Sequence, residues 1–117
     1  MSVKVYGIKN CNTMKKAFDF LNEKGVDFEF FDYKKQKPTK ELLESFLTKT
    51  DLDSLINRKG TTYRKQDEET KEALNNPSKA IDILIANSSM IKRPVILYPN
   101  GALTLGFDPE VISENLG

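Results

Sequence analysis

The spacing of apolar positions near the N-terminus changes twice and predicts a strand, a helix and a second strand. The first strand holds Val3, Val5, Tyr6 and Ile8, and the helix buries Met14, Ala17, Phe18 and Leu21, which recur at helical spacing. Gly25 ends this helix at the usual C′ position. Alternation from Val26 to Tyr33 predicts the second strand. Strand, helix and strand in so short a segment form a βαβ unit, so we expect the two strands to be parallel.

The middle of the chain is predominantly helical by the same criteria. Thr39 is the expected N-cap of a helix whose buried stripe contains Leu42, Leu43, Phe46 and Leu47. Residues 51–65 are polar, and we predict irregular structure for them. A further helix is expected from Asp67 to Leu74, and Ser78 is expected to cap the next one. We expect that last helix to face the protein interior with the following side chains: Ala80, Ile81, Ile83, Leu84 and Ile85.

The C-terminal part predicts a hairpin and a final helix. Two short apolar runs flank the dipeptide Asn100 and Gly101, which is the strongest local signal for a β-hairpin. Asp108 is the expected N-cap of the last helix, with Pro109 at its first position. The order β-α-β, several helices, then β-β-α predicts an α/β protein of thioredoxin-like fold. We expect a single domain over residues 1–117 with a helical insertion at about 38–89.

Composition excludes several classes of site. The chain has 117 residues, 18 Lys and Arg against 17 Asp and Glu, one Cys and no His. The net charge of +1 offers no general attraction to nucleic acid or to a membrane surface, so neither is an expected partner. Without histidine there is no Cys-His or Ser-His-Asp site, and one cysteine makes neither an internal disulfide nor a thiolate zinc cluster, so no metal is expected. No apolar signal core or membrane span is evident, and a reducing, cytoplasmic location is expected.

The one thiol, Cys11, lies where the first strand gives way to the first helix. Unpaired N–H groups at a helix N-terminus favour a thiolate, and Lys9, Lys15 and Lys16 bring positive charge nearby. The neighbours Asn10, Asn12 and Thr13 are polar residues of the kind that cap helices. These features favour a reactive cysteine, and the alternative is a buried structural one.

Four segments in order carry a family resemblance. Residues 6–17, residues 57–63, residues 91–96 and the pair Gly106 and Phe107 resemble the arsenate reductase (ArsC) family in its Spx/YffB branch, and above all the YffB-type proteins. The resemblance spans essentially the whole chain. It implies that Cys11 is the nucleophile, that Arg58 and Arg93 bind an oxyanion or a glutathione carboxylate, and that Pro94 is the cis-proline of thioredoxin-like folds.

General chemistry supports these roles separately. A guanidinium offers paired donors to a carboxylate or an oxyanion, and a cis bond before Pro94 exposes the backbone of Arg93 to a peptide-like ligand. Taken alone, Arg58 would be interpreted as a solvated loop charge and Arg93 as a cation at the mouth of a strand.

The resulting interpretation is a glutathione-dependent thiol/disulfide reductase with a single nucleophilic cysteine. Glutathione is the expected co-substrate, no bound cofactor is expected, and the partners are glutathione or glutathionylated thiols. Backbone amides after Cys11 hold the thiolate, and Lys9, Arg58 and Arg93 bind the carboxylates of the tripeptide. The other expected substrate-binding residues are Asn10, Asn12, Thr13 and Pro94.

Two alternatives stay open: an Spx-like regulatory module that binds RNA polymerase without catalysis, and an arsenate reductase. Glutaredoxin-coupled arsenate reductases carry a further arginine after the final hairpin, whereas residues 103–107 here contain no cation. Regulators of the Spx type usually carry C-x-x-C, whereas here the fourth position is Met14.

Overall fold

The computed structural model describes residues 2–116, which form two compact units. One unit contains residues 2–36 and 93–116, and the other is Lys37–Lys92. The elements, in chain order, are β1 (Val3–Gly7), α1 (Asn12–Glu23), β2 (Phe28–Asp32), α2 (Lys40–Leu47), α3 (Leu52–Leu55), α4 (Thr61–Arg64), α5 (Glu68–Ala73), α6 (Pro77–Ala86), a 3₁₀ turn (Ser88–Met90), β3 (Val95–Leu97), β4 (Leu103–Leu105) and α7 (Pro109–Leu116).

The first unit is built on a mixed four-stranded sheet of order β2-β1-β3-β4. β1 and β2 are parallel, as the βαβ pattern predicts, while β3 is antiparallel to both β1 and β4. Gly101 in the hairpin turn has a φ of 89°, which a side chain would disfavour. This sheet and the β-α-β, β-β-α order confirm the thioredoxin-like α/β fold.

The ends of the helices in this unit follow local sequence signals. α1 ends at Glu23 with Lys24 as its C-cap, and Gly25 follows with a φ of 67°, as predicted. Asp108 caps α7, because its Oδ1 accepts hydrogen bonds from the amides of Glu110 and Val111. The core beneath the sheet is formed by fully or almost fully buried side chains: Val3, Val5, Met14, Leu21, Ile96, Tyr98 and Ile112.

The second unit is more helical than the sequence predicts. Residues 51–65 were expected to be irregular, but they contain the short helices α3 and α4. Asp51 starts α3 because its side chain accepts a hydrogen bond from the amide of Ser54. The prediction of Ser78 as a cap is also wrong. Asn76 is the N-cap of α6, with its side chain accepting from the amides of Ser78 and Lys79, and Pro77 occupies the first turn.

Sheet topology brings four chain segments to one end of the first unit. β1 and β2 finish there as the pair Gly7 and Asp32, and β3 begins beside the last residue of β4 as the pair Val95 and Leu105. Since β3 is antiparallel to β1, the loop after β1 and the residues before β3 share this end. We call it the Cys11 end of the sheet. No helix within residues 2–116 is long and apolar enough to cross a membrane.

Candidate active site around Cys11

Cys11 itself is the N-cap of α1. Its backbone is extended, with φ −144° and ψ 132°, and its carbonyl accepts the first helical hydrogen bond from the amide of Lys15 at 3.0 Å. The capping role suggested for Asn10, Asn12 and Thr13 is therefore wrong, because none of them occupies the N-cap. The Cys11 sulfur makes no hydrogen bond of capping geometry, but the first-turn amides of Thr13 and Met14 lie close enough to favour negative charge on it.

The surroundings of Cys11 favour the thiolate. Burial acts against the charge, but the Met14 amide, the Arg93 side chain and the Thr13 amide outweigh it and lower the pKa of the thiol below its ordinary value. The thiol is partly exposed, so a substrate in solvent can reach it. A partly exposed thiol with a lowered pKa is the typical environment of a reactive cysteine.

The cation that acts on the sulfur comes from a distant part of the sequence. Arg93 contributes both as a hydrogen-bond donor and through its charge. Lys9, Lys15 and Lys16, to which proximity in sequence assigned this role, have exposed side chains. Of the other predicted site residues in this loop, Asn10 and Asn12 are exposed and Thr13 is half-buried.

The segment before β3 completes the site. The Arg93–Pro94 peptide bond is cis, as the family resemblance implies. Pro94 is buried, and its carbonyl accepts a hydrogen bond at 2.9 Å from the amide of Gly106, just after β4. This bond fixes the start of β3 against the end of β4, so that half-buried Arg93 emerges beside the Cys11 loop.

Two neighbours of the site were missed by the sequence reasoning. A Cβ on Gly7 would lie 2.6 Å from the Sδ of Met14, so a larger residue there would force the buried Met14 side chain to shift. Tyr33, expected only as the end of a strand, is 3% exposed, and its amide donates to the Gly7 carbonyl at 2.9 Å. Burial and then Tyr6 raise the pKa of the Tyr33 hydroxyl, against the opposing effect of the Arg93 charge. The sequence offered one clue to Tyr33: a tyrosine in an apolar strand carries a hydroxyl that needs a hydrogen-bond partner when it is buried.

Arg58 lies in the second unit and is engaged there. Its guanidinium contacts the Asp53 carboxylate at 2.7 Å, donates to the Tyr63 hydroxyl at 2.9 Å and reaches Asn75 Oδ1 at 3.3 Å. It also lies over the ring of Tyr63, 5.4 Å from the centroid. Arg58 is therefore not the solvated loop charge that composition alone suggests, and its contact with a ligand stays a prediction.

The described residues 2–116 contain no group of three or more His, Cys, Asp and Glu side chains arranged to hold a metal ion. The groups that act on the Cys11 sulfur in favour of the thiolate are the Arg93 guanidinium and the amides of Thr13 and Met14.

Comparison with known proteins identifies the family of this chain and similar solved structures. The ArsC family model matches residues 6–115. An uncharacterised protein of Haemophilus influenzae is 37% identical over 106 residues, covering 91% of each chain. The solved structure of a YffB protein superposes with a TM-score of 0.92 at 40% identity, covering 99% of this chain and 100% of that one. An arsenate reductase (ArsC) related protein from Brucella melitensis has a TM-score of 0.76 at 41% identity, covering 97% and 93%.

Proposed function

Because this chain belongs to the ArsC family, we propose that it is a cytoplasmic, glutathione-dependent thiol/disulfide reductase with Cys11 as its single nucleophile. The observation that supports this most strongly is the environment of Cys11: a partly exposed sulfur at the N-terminus of α1, with a lowered pKa and Arg93 beside it. A thiol whose pKa is lowered has a larger thiolate fraction at neutral pH than a free thiol, and the thiolate is the form that attacks disulfides.

The first step is an exchange of one disulfide for another. The Cys11 thiolate attacks the glutathione sulfur of a mixed disulfide R–S–S–G, forms the Cys11–S–S–G bond and releases R–S⁻, which takes a proton from solvent. No electrons are gained or lost overall in this step, because one disulfide replaces another.

The second step returns the enzyme to its starting state. A second molecule of glutathione, as its thiolate, attacks the glutathione sulfur of Cys11–S–S–G, forms oxidised glutathione and releases the Cys11 thiolate. Overall, R–S–S–G and one reduced glutathione give R–S⁻ and oxidised glutathione, so the glutathione that enters in this step is oxidised as the substrate sulfur is reduced. An external thiol must do this, because Cys11 is the only cysteine in the chain.

Binding of the tripeptide needs groups that match its carboxylates and its backbone. Arg93 supplies the guanidinium at the site, and we assign it to one carboxylate of glutathione. Lys9, exposed in the loop before Cys11, is the second cation we assign to the ligand. Asn10, Asn12 and Thr13 border the sulfur and supply neutral hydrogen-bonding groups. Arg58 is assigned to the ligand only on the family resemblance.

Arsenate fits this site less well than a glutathione disulfide. A compact oxyanion needs several cations around it as charge is transferred. At the Cys11 end of the sheet, the segment after β4 supplies Gly106, which is bonded to Pro94, and Phe107, whose ring packs edge-on against Phe20 at 5.9 Å. Neither residue carries a charge, so Arg93 has no cationic neighbour from that segment.

The decisive experiment is exposure of the purified protein to oxidised glutathione, followed by intact mass measurement. We expect one glutathionyl group per chain, absent in Cys11→Ser and removed by reduced glutathione. In a coupled assay with glutathione, glutathione reductase and NADPH, a glutathionylated peptide should drive NADPH oxidation and arsenate should not.

Three results would overturn the proposal. Failure of Cys11 to form an adduct removes the chemistry altogether. Arsenate turnover that depends on Cys11 would assign the protein to the oxyanion reductases. Absence of turnover with either substrate, together with stoichiometric binding to purified RNA polymerase, would assign it to the regulatory modules.

A further inference from the structure

The hydroxyl of Tyr33 is a buried polar group that the proposed chemistry does not use. Tyr33 is 3% exposed, and within residues 2–116 its Oη has no hydrogen-bond partner. A second buried tyrosine of the same unit, Tyr98, is 4% exposed, but its hydroxyl is paired with Thr104 Oγ1 at 2.8 Å. Because buried hydroxyls are normally satisfied, an unpaired one needs an explanation.

The fold places this hydroxyl next to the reactive site. Tyr33 directly follows β2 at the Cys11 end of the sheet, where its amide is bonded to the carbonyl of Gly7, the last residue of β1. Arg93 stands just before β3 at the same end. The positive charge of Arg93 acts on the Tyr33 hydroxyl and on the Cys11 sulfur, so the same guanidinium influences both groups.

The chemistry of the three groups is complementary. An arginine presents five N–H donors in a rigid fork, more than a sulfur or a carboxylate uses at once. A tyrosine hydroxyl accepts from such a donor without adding charge. Burial raises the pKa of Tyr33, so the hydroxyl stays neutral and protonated over the whole working range of pH.

Resting on the proposed function, we propose that Tyr33 is a positioning residue: a rotation of the Arg93 guanidinium brings one N–H to the Tyr33 hydroxyl oxygen, while other donors of the fork stay directed at the Cys11 sulfur. That bond satisfies the buried hydroxyl and holds the fork in one orientation. Tyr33 acts through Arg93 and does not touch the substrate.

The charged and titratable groups involved are few. The pKa of Cys11 is affected by the charge of Arg93 and by the amides of Met14 and Thr13. The pKa of Tyr33 is affected by Tyr6 and by Arg93. A change in the pH profile of Cys11 caused by Tyr33→Phe therefore passes through Arg93. Removal of a neutral hydroxyl alters no formal charge at the site.

The test compares Tyr33→Phe with Tyr98→Phe, the same substitution at the opposite end of the sheet. The readouts are the rate of Cys11 alkylation by iodoacetamide from pH 5 to 10 and the temperature of unfolding. We expect Tyr33→Phe to slow alkylation below neutral pH by about threefold or more without lowering the unfolding temperature. Tyr98→Phe should lower the unfolding temperature by about 4 °C, because it loses a paired hydroxyl, and leave the Cys11 profile unchanged.

Combination with Arg93→Ala separates positioning from a structural role. If Tyr33 acts through Arg93, Tyr33→Phe has no further effect on the profile in the Arg93→Ala background. A Tyr33→Phe profile that superposes on the wild type overturns the inference, and so does an equal effect in both backgrounds. Neither readout involves glutathione, so absence of a glutathione adduct in the wild type would refute the proposed function and leave the assignment of Tyr33 to be decided by these profiles.

Discussion

Arg93→Ala is the substitution that tests the site most directly. Arg93 is the cation that lowers the pKa of Cys11, and it is also the guanidinium assigned to a glutathione carboxylate. Its removal should therefore have two separable effects. First, the pKa of Cys11 rises. Second, a reagent with a carboxylate loses its contact with the guanidinium, whereas a neutral reagent has no such contact to lose.

Two reagents separate these effects because they react at the same carbon. Iodoacetamide is neutral, whereas iodoacetate carries a carboxylate next to the carbon that the sulfur attacks. At a pH high enough to ionise the thiol in both proteins, the rate of the variant with iodoacetamide should equal or exceed that of the wild type, because a thiolate of higher pKa is at least as nucleophilic. Below neutral pH the variant should be slower with both reagents, because less of its sulfur is thiolate.

The size of the second effect follows from the interaction that is lost. A hydrogen bond to a charged group contributes about 1.5–3 kcal/mol. Arg93 is half-buried, so water screens part of the attraction and the lower end of that range applies. About 1.5 kcal/mol corresponds to about tenfold in rate. The ratio of the iodoacetate rate to the iodoacetamide rate should therefore fall about tenfold in Arg93→Ala at every pH.

Lys24→Ala is the matched control, since it removes one positive charge at the far end of α1. Thirteen helical steps place Lys24 about 20 Å from Cys11 along the axis, well beyond the screening length of about 8–10 Å at physiological salt. Its rates should equal those of the wild type. If both reagents slow by the same factor in Arg93→Ala, Arg93 acts only on the thiolate and binds no carboxylate. If neither slows, Arg93 has no part in the site.

Two further predictions concern stability. The pKa of Cys11 is lowered in the folded chain, so its ionisation stabilises the fold fully above the ordinary thiol pKa of about 8.5, and this contribution disappears as the pH falls through the lowered value. The unfolding free energy of wild type relative to Cys11→Ser should thus increase with pH across this window in urea titrations, and a constant difference would contradict a lowered pKa. Arg58→Ala should lower the unfolding free energy by about 1–2 kcal/mol, mainly through the bond to Tyr63, because Asp53 is well exposed. Exposed Arg64, replaced by Ala, should have almost no effect, and equal effects of the two substitutions would mean that the Arg58 contacts add no stability.

The order of elements and most helix ends were predictable because their causes are local. Thr39, Asp67 and Asp108 cap their helices within three residues, and Gly25 ends α1 through its own backbone freedom. The hairpin at Asn100 and Gly101 is likewise a property of its turn. Where such signals competed, prediction failed. The N-cap of α6 is Asn76 and not Ser78. Asp51 is the N-cap of α3, in a segment that was predicted to be irregular because it is polar.

The candidate site divides in the same way. The sequence alone singled out Cys11 as the candidate nucleophile, because a single cysteine at a strand-to-helix junction can be recognised from its neighbours. It assigned the activating charge to Lys9, Lys15 and Lys16, whose side chains are exposed and are not among the groups that lower the pKa of Cys11. The tertiary structure decided that Arg93 acts on the sulfur, because antiparallel pairing of β1 with β3 brings together residues 82 positions apart. Electrostatic forces depend on distance in space, and that distance is set by the sheet.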